Sequence, residues 1–531
     1  MDALKSVSCV DVQRNPALRG QIQGIARRLR DLSIISIGFA DAMKESCEAF
    51  GAVSNKIGIA LLPDEVLIMI FDLVLADVED SDKHITVSCL WKAAVNLSHV
   101  DQHFRSVMLD CPRFWTNMSS CGEMVEACFP RTKGLPLKVH LNISYCTDSE
   151  ERYFDPVLAE LLPLAKYWGR LDIIISHIEE DERSFKNTTG ETLRQLDAPL
   201  LNELNIKAVP FPEFQNFNLD CAQWNSPNLR SVIAFECFPL YLPGLSNVFD
   251  LFVMIRVDDE KISEILGEIK RMQNLRYLSL EMSNTHYPGN IDVFERFEFP
   301  QVERLRIVSE LHFRKDDSSP ALKRSIFSSL FFPGAKQLVL EIKGGDYMDY
   351  ESETDWDENY TRDYLFNTEI NRIFRHVDQF PRVKIFAFNI LSPRGVHRNS
   401  VMRSEAYIPL NMLPSVKHLR LNSNMRFDVK EPEDPDEILF DDEIAVAPRV
   451  TGNRLPILDS ITLCMRKPSR LAEWVREYLL RVKDREMWNG LFELNLKELK
   501  KSGIRSTRYI GDKALNWCED RVNRTATQER N

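Results

Sequence analysis

Pro414-Ser415-Val416-Lys417-His418-Leu419-Arg420-Leu421 is one copy of a pattern that runs through the second half of this 531-residue chain. A proline is followed by apolar residues at the second, fifth and seventh places after it. The last two are two apart, so they share one face of an extended strand. The proline ahead of them punctuates the chain. The same spacing occurs at Pro199 (Leu201, Leu204, Ile206), Pro227 (Leu229, Val232, Ala234) and Pro300 (Val302, Leu305, Ile307). It returns at Pro333 (Ala335, Leu338, Leu340), Pro381 (Val383, Phe386, Phe388) and Pro456 (Leu458, Ile461, Leu463). With 44% apolar residues, about two of the 26 prolines would match by chance, and seven do. Leu275-x-x-Leu278-x-Leu280 and Leu491-x-x-Leu494-x-Leu496 are proline-free copies. A supersecondary unit repeats here.

The apolar triplet resembles the strand of a leucine-rich repeat, and Leu419-x-Leu421-x-x-Asn424 also carries the asparagine of that motif. The resemblance implies one parallel strand per repeat, with a helix or loop returning the chain. The middle positions Leu204, Val232, Leu251, Leu278, Leu305, Leu338, Phe386, Leu419 and Ile461 lie 28, 19, 27, 27, 33, 48, 33 and 42 residues apart. Regular arrays keep to about 20–29, so this one is irregular. Residues 137–143 and 168–175 read as further strands upstream. The competing reading is an α/β or α+β domain whose apolar strands do not repeat. Alternation says what faces outward. If Leu305 and Ile307 point to the core, Arg304 and Arg306 point to the open face. So do Lys207, Tyr277, Glu281, Glu341, His418 and Arg420. Lys207, Tyr277, Arg304, Arg306, His418 and Arg420 are the candidate target-binding residues, because cations, tyrosine and histidine suit protein contacts.

The net charge of −12 is unevenly placed. Residues 346–363 carry −7 and residues 428–443 carry −8, leaving a remainder of +3. Both runs fall inside the two longest intervals and read as exposed insertions. A near-neutral remainder argues against nucleic acid as a partner. Eleven cysteines without a CxxC pair read as thiols in a reducing compartment, cytoplasm or nucleus. Neither a signal peptide nor a membrane span is expected. The chain lacks P-loop, Gly-x-Gly-x-x-Gly, His-Glu-x-x-His and Gly-x-Ser-x-Gly patterns. The expectation is a protein that is not an enzyme and takes no cofactor or metal.

Ahead of the repeats the chain reads as helical. Within residues 4–50, Leu18, Ile22, Ile25, Leu29 and Leu32 form a stripe, expected to pack on the rest of the chain. Then comes Leu62-Pro63-Asp64-Glu65-Val66-Leu67-Ile68-Met69-Ile70-Phe71. Proline and two acids suit a helix start, and the helix is apolar almost all round. Residues 85–97 give a second helix. A third is expected from Ser98, with Val100, Phe104, Val107 and Met108 on one face.

Leu62-Pro63-Asp64-Glu65-Val66-Leu67, then Leu97-Ser98-His99-Val100, Phe104-Arg105 and Cys111-Pro112-Arg113-Phe114-Trp115, together resemble an F-box, most of all that of fungal F-box proteins. Asp101 and Phe104 depart from that pattern, standing where cysteine or asparagine and tryptophan are usual. The resemblance implies a three-helix unit that docks on a Skp-type adaptor and, through it, a cullin. Carried over, the adaptor-binding residues are Leu62, Pro63, Glu65, Val66, Leu67, Ile70, Phe71, Val100 and Phe104. Internal packing is the alternative for each of them. The fold class expected is α/β, a helical F-box unit followed by an irregular leucine-rich-repeat-like solenoid. The domains expected are a helical segment at 1–59, the F-box-like unit at 60–118, the repeat domain at 119–500 and a cap and frayed tail at 501–531. The function expected is substrate recognition for a Skp–cullin–F-box ubiquitin ligase, with an unknown protein target. The alternative is a repeat scaffold whose F-box-like unit is purely structural.

Overall fold

The computed structural model describes residues 62–81, 87–119, 122–144, 154–176, 193–208, 221–256, 261–283, 294–311, 326–344, 366–391, 403–429, 455–484, 491–500 and 503–530, less 368 and 425, with scattered residues from 20 to 45. The acidic run at 346–363 lies outside them, as does that at 428–443 apart from its first two residues. The chain divides into two compact units, Met1–Trp115 and Thr116–Asn531. Among the described residues no helix is long and apolar enough to cross a membrane.

In the first unit, residues 24–32 and 41–45 are helical. Ile25, Leu29 and Leu32, expected to pack on the chain, are exposed instead, while Leu18 and Ile22 of the same stripe lie outside the described residues. Three helices follow: α1 (Asp64–Ser81), α2 (Val87–Ser98) and α3 (Gln102–Asp110), then a 3-10 turn at Pro112–Trp115. The Pro63 carbonyl accepts the Val66 and Leu67 N–H groups, opening α1. Ser98 closes α2 rather than opening α3, because its hydroxyl donates to the Val95 carbonyl at 2.7 Å. Asp101 is the residue that starts α3. Its backbone is extended and its carboxylate accepts the Phe104 N–H at 2.8 Å. That is the N-cap role, where aspartate is among the best residues. Asp101→Ala is therefore expected to cost about 1 kcal/mol, read as a lower denaturant midpoint for loss of helix in this unit. Leu67, Phe71, Leu90, Ala94, Phe104, Val107, Met108, Phe114 and Trp115 form its core. Phe71 meets Phe104 and Phe114 edge-on, at 5.0 and 6.2 Å between centroids, and the Trp115 indole donates to the Met108 carbonyl at 2.8 Å.

The second unit is built on a 14-stranded sheet. Its strands are β1 (Asn117–Ser119), β2 (Leu137–Ser144), β3 (Trp168–Ser176), β4 (Glu203–Ala208), β5 (Ser231–Phe235), β6 (Asp250–Arg256), β7 (Tyr277–Ser283), β9 (Arg304–Leu311), β11 (Gln337–Gly344), β12 (Ile385–Leu391), β14 (His418–Ser423), β16 (Ser460–Met465), β17 (Glu493–Lys500) and β18 (Gly503–Ile510). They lie side by side in chain order. Every pairing is parallel except β17 with β18. Two small ladders, β8 (Phe297–Glu298) with β10 (Leu330–Phe331) and β13 (Arg403–Ala406) with β15 (Arg426–Val429), stand apart. Mixed α/β architecture with a large parallel sheet is thus the fold. The last two residues of every proline-led triplet lie in a strand of this sheet and are buried.

The proline has a specific task. In Ala198-Pro199-Leu200-Leu201 the Leu201 N–H returns to the Ala198 carbonyl at 3.0 Å, closing a four-residue turn. The same bond closes the turns begun by Ser226, Leu242, Phe299, Phe332, Phe380 and Leu413, each followed by proline. Proline fits the second place of such a turn because its φ is already set and that N–H is not used. Met272-Gln273-Asn274-Leu275 makes the turn without it. The turns stack. Asn228 donates to the Pro199 carbonyl, Asn247 to Pro227, Asn274 to Ser246, Gln301 to Met272 and Ser415 to Pro381, at 2.7–3.1 Å. Phe299, Phe332 and Phe380, each just before its proline, stack face to face. Where the turn carries glycine instead, the backbones touch. A Cβ on Gly334 would lie 1.9 Å from the Pro300 oxygen, and one on Gly244 would lie 2.4 Å from that of Ser226.

Helices α4 (Gly122–Cys128), α5 (Phe154–Leu161), α6 (Ile262–Arg271), α7 (Ala472–Asp484) and α8 (Asp512–Arg530) lie between or after strands. The closing helix expected around Trp474 and Tyr478 is α7. Residues 524–530, expected as a frayed tail, belong to α8. Ala514, Leu515, Trp517 and Cys518 bury one flank of the first half of α8.

Candidate interaction surfaces

On α1 two apolar faces coexist. Leu67 and Phe71 point inward and are 0% and 1% exposed. Val66, Met69, Ile70, Leu73 and Val74, at spacings of three and four, lie on another flank and are 37–70% exposed. A contiguous exposed apolar stripe on a helix is uncommon unless something covers it. Val100, in the link to α3, is 61% exposed. Of the residues carried over as adaptor contacts, Pro63, Glu65, Val66, Ile70 and Val100 are accessible and Leu62 is half-buried. Leu67, Phe71 and Phe104 are not: they fill the unit's own interior, so the expectation that they touch an adaptor is corrected to core packing. Met69, Leu73 and Val74 belong to the helix read as apolar almost all round, but not to the contacts that the resemblance implies. The 66, 69, 70, 73 spacing was the available signal. Polar contacts brace the rim: Arg113 pairs with Asp72, and His103 lies 3.5 Å from Asp64 and 3.4 Å from the Leu62 carbonyl.

On the second unit, alternate side chains project from the open face of the sheet, and in-register pairing sets them in rows. Arg304, in register with Tyr277, lies 4.8 Å over its ring, which in turn meets Phe249 at 4.9 Å. The Lys207 amine lies 5.9 Å from the Phe235 ring, itself 4.7 Å from Phe252. His418 and Ser460 are neighbours in register, 3.0 Å apart at Nδ1 and Oγ. Arg420 is exposed and has no partner among the described residues. Arg306 differs. It donates to Glu341 at 2.9 Å and to Ser279 at 3.2 Å, while Lys343 pairs with Glu281 at 2.8 Å. Glu281 and Glu341 are nearly buried, and a buried carboxylate needs a cation beside it. Arg306 is thereby committed to Glu341, and its reading as a free target-binding residue is corrected. Lys207, Tyr277, Arg304, His418 and Arg420 do reach the open face but span β4 to β14, so they form two clusters rather than one site.

Between Lys207 and Tyr277 lies a patch the sequence did not disclose: Ile233, Phe235, Phe252 and Met254, half-buried on β5 and β6. Strands apolar at every position hide their outward residues, because alternation is absent. At the start of the sheet Asp172 accepts from His140 at 2.8 Å and from Arg170 at 3.1 Å. Burial pushes its carboxyl up, but the His140 bond and charge and Arg170 outweigh burial and hold it below its ordinary value. A carboxyl depressed in the folded state stabilises above its unfolded value, about 3.9. That contribution is lost as pH falls through the folded pKa. Asp172→Asn is accordingly expected to flatten the acid limb of stability below about pH 4, measured by urea midpoints from pH 2 to 7.

Among the described residues no group of three or more histidine, cysteine or acidic side chains could hold a metal. Compared with models of known protein families and with curated proteins, the sequence matches none of them.

Proposed function

We propose that this chain is the substrate-recognition subunit of a Skp–cullin–F-box ubiquitin ligase, acting in the cytoplasm or nucleus. In this reading the three-helix unit is an F-box and the parallel sheet belongs to an irregular leucine-rich-repeat-like solenoid. The observation that carries the proposal is the apolar stripe on α1, Val66, Met69, Ile70, Leu73 and Val74, exposed beside the leucine-proline start. A Skp-type adaptor would cover it together with Leu62, Pro63, Glu65 and Val100. The open face of the sheet would hold the protein target, the aromatic patch near Lys207 and Tyr277 supplying anchors and Arg304, His418 and Arg420 the polar contacts. The chain would have no active site. It would act by holding the target close to a ubiquitin-loaded enzyme, raising its effective concentration.

Capture of a purified Skp-type adaptor on the immobilised full chain tests this. Retention comparable to that of a known F-box protein is expected; no retention alongside a positive control would refute it. The burial of Leu67, Phe71 and Phe104 favours a second reading, a repeat scaffold whose helical unit packs only on itself. The two part at Leu62→Ala with Pro63→Ala. The ligase reading expects adaptor release with the fold retained, and the scaffold reading expects unfolding with nothing released.

A further inference from the structure

β18 ends the 14-stranded sheet, and its outer edge pairs with nothing among the described residues. It runs antiparallel to β17 with Lys500 opposite Gly503, across a link of two residues. A pair that close to the turn exchanges both of its hydrogen bonds, so residues 503, 505, 507 and 509 bond to β17. The N–H and C=O groups of Ile504, Ser506, Arg508 and Ile510 therefore point outward. Every residue of the strand but Tyr509 is exposed, Ile504 to 65% and Ile510 to 44%. No proline blunts this edge, and an edge of this length is a template for another strand.

We propose that the edge is covered by β18 of a second copy, giving a two-fold dimer with one continuous sheet. Backbone parity limits the choices, because only outward residues can bond outward residues. A two-fold register centred on Arg505 sets like charges opposite one another, and one centred on Arg508 leaves Ile504 opposite Asp512, which lies in α8 and not in the strand. One centred on Ser506 leaves Ile510 without a partner. The register centred on Thr507 uses all seven residues from 504 to 510. Ile504 then faces Ile510 of the second copy, Ser506 faces Arg508, and Thr507 faces its own mate. Arg505 faces Tyr509, an aromatic ring that rests 5.8 Å from Trp517 and is a partner suited to a cation. Arg508 is already paired with Glu493 of its own chain, which offsets its charge. Apolar meets apolar and cation meets aromatic about a single axis, as an isologous contact requires.

Sedimentation of the full chain tests it, with a species of twice 61.5 kDa expected as concentration rises. Ser506→Pro removes two outward amides per dimer and no bond to β17, so the dimer is expected to weaken by at least about tenfold. Exchange protection in β17 should not change. Thr507 and its mate form a non-hydrogen-bonded pair with Cα atoms about 4.5 Å apart, within disulfide range. Thr507→Cys should thus oxidise to a reducible dimer faster than Ser506→Cys, against the unmodified chain as background. A chain monomeric up to about 100 μM, a dimer indifferent to Ser506→Pro, or equal oxidation of the two cysteine variants would each overturn the proposal. Pairing of β18 with a strand of another protein would do so too.

Discussion

Phe71→Ala is expected to unfold the three-helix unit, at a cost of about 3–5 kcal/mol. The ring is 1% exposed and touches Phe104 and Phe114 edge-on, so its loss leaves a cavity flanked by two aromatic rings with nothing to collapse onto it. A unit of about fifty residues has little stability in reserve. Hydrogen exchange should report loss of protection through α1, α2 and α3 together, since these helices share that core. Leu73, two residues along the same helix, is the contrast. It is 70% exposed, so its replacement by alanine should leave stability within about 0.5 kcal/mol. Equal stability of the two variants would mean that the inner and outer faces of α1 have been assigned the wrong way round.

Gly334→Ala is expected to cost the second unit about 3 kcal/mol or more. The added Cβ would lie 1.9 Å from the Pro300 oxygen and 2.9 Å from its carbon, both backbone atoms held by the preceding turn. No rotamer change relieves an overlap with backbone. The two turns must part, straining the bonds from the Lys336 and Gln337 N–H groups to the Glu303 carbonyl. Exchange in β9 and β11 should rise first. Ser415→Ala, at the same place in a later turn, removes one hydrogen bond to the Pro381 carbonyl and should cost about 1 kcal/mol. A Gly334 variant no worse than the Ser415 variant would contradict the close stacking of these turns.

These two positions also show how far the sequence could be read. The Pro-x-apolar-x-x-apolar-x-apolar spacing located strands because three constraints coincide in it: a turn that wants proline, a buried residue closing the turn, and two inward residues of a strand. The stacking of the turns was not legible, because the Asn, Gln, Ser or Gly one place after the proline position reads as an ordinary turn residue until its neighbour across the turns is known. Asp101 looked like a departure from the family pattern, and its bond to the Phe104 N–H turns it into the cap that starts α3. The direction in which Phe71 points was not legible. A helix apolar nearly all round has no periodic signal to separate its buried face from its free one. The neutralisation of Glu341 by Arg306 was equally hidden, because the two are 35 residues apart in the chain and meet only through the pairing of β9 with β11. β18 was not legible because Ile504-Arg505-Ser506-Thr507-Arg508-Tyr509-Ile510 shows no alternation of apolar and polar residues, so no core face marks it.

We propose that the free face of α1 binds a Skp-type adaptor. Titration of the purified adaptor onto the full chain, with and without Leu73→Asp, tests it most directly. Saturable one-to-one binding by the unaltered chain is expected, with at least about a thirtyfold loss in Leu73→Asp and exchange protection of Phe71 and Phe104 unchanged. No binding by the unaltered chain, or equal binding by the variant, would contradict it.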